Sequence, residues 1–136
     1  MDYSKFIGYA GQRGSIGSMV VRKSDHPQDS DLAELNENNR FIAIHRKPHA
    51  SGFPLKADPS LTDKFHDLWG MTGIYYFSKQ ILDFIPENQY CELDHAILPK
   101  VIAAQKEFYG YKADEYIKDI GTLERLKEVE SYLKML

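Results

Sequence analysis

Apolar residues along the chain switch several times between the spacing of helices and the compact runs of β-strands. Near the amino terminus Phe6, Ile7 and Ala10 recur at helical spacing between residues 2 and 12, and Gly14 follows as a stop signal. Further helices are predicted over residues 79–84 and 93–104, and a last one begins at Thr122. Runs typical of strands lie at 15–21, 32–35, 41–44, 68–77, 107–111 and 116–120.

Turn-forming residues separate these segments and set their connections. Residues 36–39, Asn-Glu-Asn-Asn, divide two short apolar runs and predict a hairpin. Pro99 lies inside the segment 93–104 and predicts a kink or a new start of the helix. Residues 50–63 hold two prolines and a glycine and predict an irregular stretch. Strands alternating with helices, with one hairpin, indicate an α/β fold: a mixed sheet in an α/β/α layer arrangement, as one domain over residues 1–136.

Composition narrows the class of protein. The chain has 136 residues, 43% of them hydrophobic and 27% charged, which is ordinary for one globular domain. A net charge of -3 and a pI near 5.9 provide no electrostatic case for binding nucleic acid or an anionic membrane. No apolar run approaches the roughly 20 residues that span a bilayer. Cys91 is the single cysteine, so a reducing, cytoplasmic location is the simplest expectation.

Residues 119–122 read Asp-Ile-Gly-Thr, follow a predicted strand and lead into the last predicted helix. Together with the Glu-Arg-Leu of residues 124–126, they resemble the end of a sugar-1-phosphate nucleotidyltransferase (NDP-sugar pyrophosphorylase). The resemblance implies that Asp119 holds the catalytic Mg²⁺. Without it, Asp119 reads as a strand-end carboxylate favoured by the dipole of the following helix. Leu123 stands where that family usually has proline.

Residues 41–49 form a second matching segment, an apolar strand ending in Lys47-Pro48. It resembles the Glu-Lys-Pro of the same family, which implies that Lys47 acts in catalysis by reaching the sugar phosphate. Arg46 stands where that family has the glutamate that holds sugar hydroxyls, and we predict that Arg46 binds the substrate. The histidines at 45 and 49 fit a subgroup similar to heptose- and mannose-1-phosphate guanylyltransferases. On composition alone Lys47 is a solvated surface amine.

Three more stretches carry the likeness. Residues 73–75, Gly-Ile-Tyr, match a strand whose backbone faces the sugar in that family, and this implies a substrate-binding role for Gly73. The alternative for Gly73 is a packing glycine. Residues 92–99 match a helix that ends in Leu-Pro; there Asp94 and His95 suggest acid–base chemistry, although a helix-capping carboxylate is the stronger interpretation of Asp94. Residues 26–32 also match, and by themselves indicate a polar turn.

The Gly-rich phosphate loop and the second metal-binding aspartate of that family are not found in these 136 residues. We therefore expect the chain to be the carboxyl-terminal half of such an enzyme, inactive alone. It would need its amino-terminal half or a partner chain, and it would tend to self-associate. The resemblance implies the reaction of a nucleoside triphosphate with a sugar 1-phosphate, which supplies polysaccharide or lipopolysaccharide precursors. Alternatives are a non-catalytic sugar-phosphate-binding module and a structural domain that pairs with another chain.

Overall fold

A computed structural model describes residues 1–53 and 67–136. The regular elements, in chain order, are α1 (Tyr3–Gly11), β1 (Gly17–Arg22), β2 (Leu32–Leu35), β3 (Phe41–His45), β4 (Asp67–Phe77), α2 (Leu98–Ala103), β5 (Phe108–Lys112) and α3 (Leu123–Lys134). Short 3₁₀ turns cover Pro27–Asp29 and Lys79–Phe84, and a π-helical turn covers Leu93–Ile97. The irregular stretch predicted over residues 50–63 lies mostly outside the described residues.

The strands form one mixed sheet in the order β3-β2-β4-β1-β5. Strand β1 is parallel to β5 and antiparallel to β4, and β2 is antiparallel to both β3 and β4. The predicted hairpin is the β2–β3 pair, whose loop is held by the Asn36 side chain accepting hydrogen bonds from the Asn38 and Arg40 amides. The α/β mixed-sheet fold expected from the sequence is therefore confirmed.

Alternation along β1 places its side chains in two apolar clusters. Met19 and Val21 belong to the larger cluster with Phe108 and the π-turn and α2 residues, while Val20 belongs to a smaller cluster with Phe6 of α1. Consecutive side chains of a strand point to opposite faces, so helical segments cover both faces of the sheet. All three β1 side chains are fully buried. Strand β1 is therefore buried on both faces of the sheet.

The predicted helix over residues 93–104 is two elements joined at a proline. Residue Ile97 donates its amide to the carbonyl of Glu92, closing a π turn, and α2 then starts with Pro99 in its first turn. Proline has no amide hydrogen, and its ring crowds the preceding turn, so the first position of a new helix suits it. Of the two outcomes expected for Pro99, the new start is the one observed.

The strand predicted over residues 116–120 is wrong. The chain leaves the sheet after the Ala113 amide pairs with the carbonyl of Val21, and residues 115–121 have no regular structure. Apolar and β-branched residues favour a strand only when a neighbouring strand offers pairing, and β5 ends at Lys112. Helix α3 then begins after Thr122, which caps it by accepting the Arg125 amide. Among helices of the described residues, none has the length and apolar character needed to cross a bilayer.

Candidate functional site

A polar cavity of about 260 Å³ lies beside the ends of β1 and β2. It brings together Lys47 and Asp119, which the sequence places 72 positions apart. Arg46 and Gly73 are not among its lining residues. The lining is mostly charged or hydroxylated and consists of Arg22, Ser24, His26, Asp29, Ser30, Asp31, Lys47, Met71, Asp94, Lys118, Asp119 and Arg125. This volume lies just below the roughly 300–1,000 Å³ usual for ligand pockets, so the cavity suits a small metabolite.

The β2–β3 hairpin explains where Lys47 lies. Its register pairs Leu32 with His45, so the residue before β2 and the residues after β3 are neighbours. The Lys47 amide donates to Asp31 Oδ1 at 3.0 Å, and its ammonium donates to the carbonyl of Asp29 at 3.0 Å. Both ends of Lys47 are therefore held by the turn that precedes β2.

His49 holds the same turn from the other side. Its Nε2 lies 2.9 Å from the carbonyl of Ser30 and 3.2 Å from that of Pro27, and its ring stacks on Phe53. A backbone carbonyl only accepts hydrogen bonds, so Nε2 is the protonated nitrogen. In this structure His49 organises the wall of the cavity.

Asp31 is the residue whose importance the sequence did not reveal. Its Oδ2 lies 2.7 Å from His95 Nε2, and the other ring nitrogen, Nδ1, lies 2.8 Å from Glu92 Oε2. Burial opposes ionisation of Asp31, but the hydrogen bonds from the Lys47 amide and from His95 together hold its pKa below the ordinary value. The hydrogen bonds to Asp31 and then Glu92 raise the pKa of His95. The Asp31–Lys47 contact could have been predicted from the register of the β2–β3 hairpin, which pairs Leu32 with His45.

Asp94 does not cap the helix, contrary to the sequence interpretation. Tyr75 of β4 donates its hydroxyl hydrogen to Asp94 Oδ1, and Glu92 occupies the N-cap position without a side-chain cap bond. Burial, followed by this carboxylate, raises the pKa of Tyr75. The Tyr75–Asp94 bond ties the π turn to the sheet and presents Asp94 at the cavity.

Asp119 lies in the irregular segment before α3 and is 64% exposed. Its Oδ1 accepts Arg125 Nη1 at 2.5 Å and the Gly121 amide at 3.3 Å. The hydrogen bond from Arg125 is the main reason that the pKa of Asp119 lies below its ordinary value. The capping turn explains the contact, since Arg125 is in the first turn of α3. Asp119 is ionised at neutral pH, and its Oδ1 is paired with the Arg125 guanidinium.

The carboxylate of Asp119 fits the role of one metal ligand and no more. Within residues 1–53 and 67–136, there is no group of three or more His, Cys, Asp or Glu side chains placed to hold a metal ion. Both hydrogen bonds to Asp119 go to Oδ1. Mg²⁺ commonly takes one or two protein carboxylates and completes its shell with phosphate and water. The fit is therefore that of a partial site facing the cavity.

Gly73 has a structural explanation in β4. The β1–β4 register shifts between Met19 and Val21, where residues 72–74 of β4 oppose a single residue of β1, and Gly73 has a φ of 74°. Thr72 stabilises the bulge by donating its hydroxyl to the carbonyl of Val20 at 2.6 Å. Residues other than glycine rarely adopt a φ in this range. Gly73 is not among the residues that line the cavity, and its contact with substrate stays a prediction.

Arg46 is exposed and lies outside the cavity lining. The hydrogen bonds from His95 and Tyr90 lower the pKa of Glu92, and the positive charge of Arg46 adds a smaller contribution in the same direction. The cations that do line the cavity, besides Lys47 and Arg125, are Arg22 and Lys118. Lys118 is also paired with Glu128 of α3 at 2.6 Å. The sequence did not single out Arg22 or Lys118, because an isolated Arg or Lys in sequence is usually a surface residue.

The fold and site define an α/β layer protein with a small, charged pocket beside the sheet. The model of the Nucleotidyl transferase family matches residues 1–135, and the chain belongs to that family. Across 136 aligned residues it is 25% identical to glucose-1-phosphate adenylyltransferase of Mycoplasma mobile, covering 94% of this chain and 32% of that protein. It is 26% identical to mannose-1-phosphate guanylyltransferase of Mycobacterium tuberculosis over 113 residues, covering 82% and 27%.

Solved structures support the fold. A Bacillus anthracis protein, assigned as a glucose-1-phosphate thymidylyltransferase and crystallised with sucrose, superposes with a TM-score of 0.71 at 14% identity, covering 100% of this chain and 50% of that one. HddC from Yersinia pseudotuberculosis gives a TM-score of 0.67 at 19% identity, covering 98% and 50%. The chain thus spans about a third of the curated relatives and half of the solved chains it matches.

Proposed function

We propose that this chain provides the sugar-phosphate- and metal-binding half of a sugar-1-phosphate nucleotidyltransferase site. The supporting observation is that one cavity is lined by both Lys47 and Asp119 in a member of the family. The whole reaction joins a nucleoside triphosphate to a sugar 1-phosphate, with a sugar phosphate oxygen attacking the α-phosphorus and pyrophosphate leaving. Such transfers depend mostly on positioning and on neutralising phosphate charge.

The two kinds of charge in the cavity suit the two ends of a sugar 1-phosphate. The cations of Lys47 and Arg22 match a phosphate. The carboxylates of Asp29 and Asp94 match hydroxyl groups, because an ionised carboxylate only accepts hydrogen bonds and a sugar hydroxyl can donate them. The role of Lys47 is to hold the attacking phosphate in place. Its ammonium, which lies 3.0 Å from the carbonyl of Asp29, would exchange that carbonyl for the phosphate.

Mg²⁺ is the cofactor that this function implies. When bound, Mg²⁺ neutralises phosphate charge, and Asp119 would be its ligand from this chain. Arg125 accompanies Asp119 and keeps it ionised, so the carboxylate is ready for a cation at neutral pH. The remaining ligands would come from phosphates, water and residues outside this chain.

The nucleotide-binding half would come from residues beyond these 136 or from a partner chain. A guanylyl transfer to a heptose or mannose 1-phosphate is the type we propose, on the histidines that flank Lys47 and Pro48 in sequence and on the likeness to a mannose-1-phosphate guanylyltransferase. Other relatives act as glucose-1-phosphate adenylyl- and uridylyltransferases by name. A panel of nucleotides and sugar 1-phosphates therefore belongs in any assay of the completed enzyme.

Binding of sugar phosphate to the full chain tests the proposal directly. Calorimetry with mannose 1-phosphate and glucose 1-phosphate should detect binding that Lys47→Met weakens by about tenfold or more, since a charge-assisted hydrogen bond is lost. Lys100→Met is the matched control, because Lys100 is an exposed lysine of α2 outside the cavity lining. Equal loss in both variants, or no binding to the unmodified chain, would refute the assignment.

A non-catalytic sugar-phosphate-binding module is the second candidate. The Asp119–Arg125 ion pair at 2.5 Å favours it, because the carboxylate has a cation without any metal. The two candidates differ when the nucleotide-binding half is supplied in trans or by fusion. Pyrophosphate release from a nucleoside triphosphate and a sugar 1-phosphate supports the enzyme, and binding without release supports the module.

A further inference from the structure

His95 lies between two carboxylates and contacts each with a different ring nitrogen. Asp31 Oδ2 is 2.7 Å from Nε2, and Glu92 Oε2 is 2.8 Å from Nδ1. An ionised carboxylate has no hydrogen to donate, and a neutral imidazole has only one N–H. Both hydrogen bonds can exist together only when the ring is an imidazolium. The two contacts therefore require His95 to carry a hydrogen on both ring nitrogens.

Asp31 extends this contact to the proposed substrate-binding lysine. Its side chain is 17% exposed, its Oδ1 accepts the Lys47 amide at 3.0 Å, and its own carbonyl accepts the Met71 amide of β4 at 3.2 Å. The backbone of Asp31 is thus fixed by the sheet, while its carboxylate is shared between His95 and Lys47. A change at His95 reaches Lys47 through one side chain.

We propose that His95 is a positioning residue whose protonated ring holds the Asp31 carboxylate, and through it Lys47, in the geometry that receives a sugar phosphate. This inference rests on the proposed role of Lys47. His95 does not touch the ligand in this scheme. It connects the π turn, the turn before β2 and the segment after β3, and these three parts of the chain form one wall of the cavity.

The charges around His95 decide the direction of its pH dependence. Asp31 of the turn before β2 and Glu92, just before the π turn, both favour the imidazolium, while Arg46 of the segment after β3 opposes it. The pKa of His95 is raised above the ordinary value of 6.5. Below that raised pKa both hydrogen bonds are present. As the pH rises through it, the ring loses one N–H and one carboxylate loses its partner.

The first test needs no ligand and follows the full chain by NMR across pH. We expect the Lys47 amide resonance to titrate with the same midpoint as the His95 ring nitrogens. His95→Gln should abolish that step. Glu92→Gln should move both midpoints to lower pH, because it removes a carboxylate that favours the imidazolium. Glu92 is 52% exposed, so its variant keeps the test valid if His95→Gln folds poorly.

A Lys47 amide that stays constant while His95 titrates would overturn the inference, as would a midpoint unchanged by Glu92→Gln. The second measurement is the affinity for mannose 1-phosphate over the same pH range. Above the His95 midpoint we expect the dissociation constant to rise by about tenfold. The phosphate itself also ionises over this pH range, and the His95→Gln variant measures that contribution alone. If the unmodified chain binds no sugar phosphate while the NMR titration is intact, the proposed function is refuted, and only the link between the His95 ring and the Lys47 backbone remains.

Discussion

The two walls of the cavity are built in different ways. Lys47 lies on a turn that is hydrogen-bonded to Asp31, and Asp31 continues through its carbonyl into β4. Asp119 lies in an irregular segment, and its side chain is held by Arg125 of α3. Helix α3 itself has no buried residue. The sheet thus preorganises the proposed phosphate-binding wall, whereas the proposed metal-binding wall depends on exposed ion pairs that contribute little to stability.

The apolar surface beside α3 also indicates that the Asp119 wall is less firmly packed than the Lys47 wall. A groove of about 610 Å³ runs between α3, the start of α1 and the segment before α3. The stacked rings of Tyr116 and Tyr132, 4.0 Å apart, join the segment to the helix. Leu123 and Leu133 of α3 are 72% and 61% exposed. Side chains that stay in contact with water add little hydrophobic free energy, so the Asp119 wall has a weaker foundation than the Lys47 wall.

Substitution of buried and exposed apolar residues tests that difference with the largest expected effect. Phe108 is fully buried in β5 and contacts the rings of Phe41 and Phe77. Phe108→Ala should lower the free energy of unfolding by about 3–5 kcal/mol. Leu133→Ala should change it by less than about 0.5 kcal/mol. Urea unfolding followed by circular dichroism measures both, and equal losses would mean that α3 is as firmly packed as the sheet.

Asp119→Asn tests the exposed wall for function. In an enzyme completed by its nucleotide-binding half, this change should reduce turnover by about 10²–10³-fold, the cost of losing one charge-stabilising contact. The amide keeps the size of the side chain and removes the charge that Mg²⁺ requires. The measurement is pyrophosphate release at limiting Mg²⁺.

Asp114→Asn is the matched control, an exposed aspartate of the same connection that does not line the cavity. Its turnover should be close to that of the unmodified enzyme. Near-normal turnover of Asp119→Asn would return Asp119 to a structural role at the start of α3.

Substitution of Gly73 in the β4 bulge should have an intermediate effect on stability. Gly73→Ala should destabilise the chain by about 1–2 kcal/mol, because Gly73 has a φ of 74° and a side chain makes that conformation costly. Space is not the cause, since no described atom lies within 4 Å of a β-carbon placed there. Gly8→Ala in the middle of α1 is the control and should stabilise by about 0.5–1 kcal/mol. Changes of the same sign in the two variants would contradict the conformational explanation.

The smallest expected effect concerns the ion pair of the exposed wall. Arg125→Gln should cost less than about 1 kcal/mol in stability, yet it should raise the carboxyl pKa of Asp119 toward 3.8, since Arg125 is the main cause of its lowering. The pair contributes stability above pH 3.8 and loses it as the pH falls through the lower folded pKa. Carbon-13 NMR of the Asp119 carboxyl follows the change. An unchanged pKa in the variant would show that Arg125 does not hold the carboxylate in solution.

Local pattern was sufficient for most of the fold. The hairpin of β2 and β3 and the long strand β4 follow from short apolar runs and an Asn-rich turn, which are properties of adjacent residues. The segment 116–120 has the same local character, but within residues 1–53 and 67–136 no strand pairs with it, and it is irregular. Strand formation there depended on pairing across the sheet, which a one-dimensional pattern does not contain.

For the site, the sequence indicated two residues that line the cavity, Lys47 and Asp119, and their roles stay predictions. Tertiary structure decided their neighbours. Hairpin register set Asp31 against Lys47, and the π turn brought His95 to Asp31 across 64 positions. The tertiary structure also placed Gly73 in the bulge of β4 and Arg46 at the surface near Glu92. Hydrogen bonds act over about 3 Å in space, and distance along the chain carries no information about which side chains come within that range.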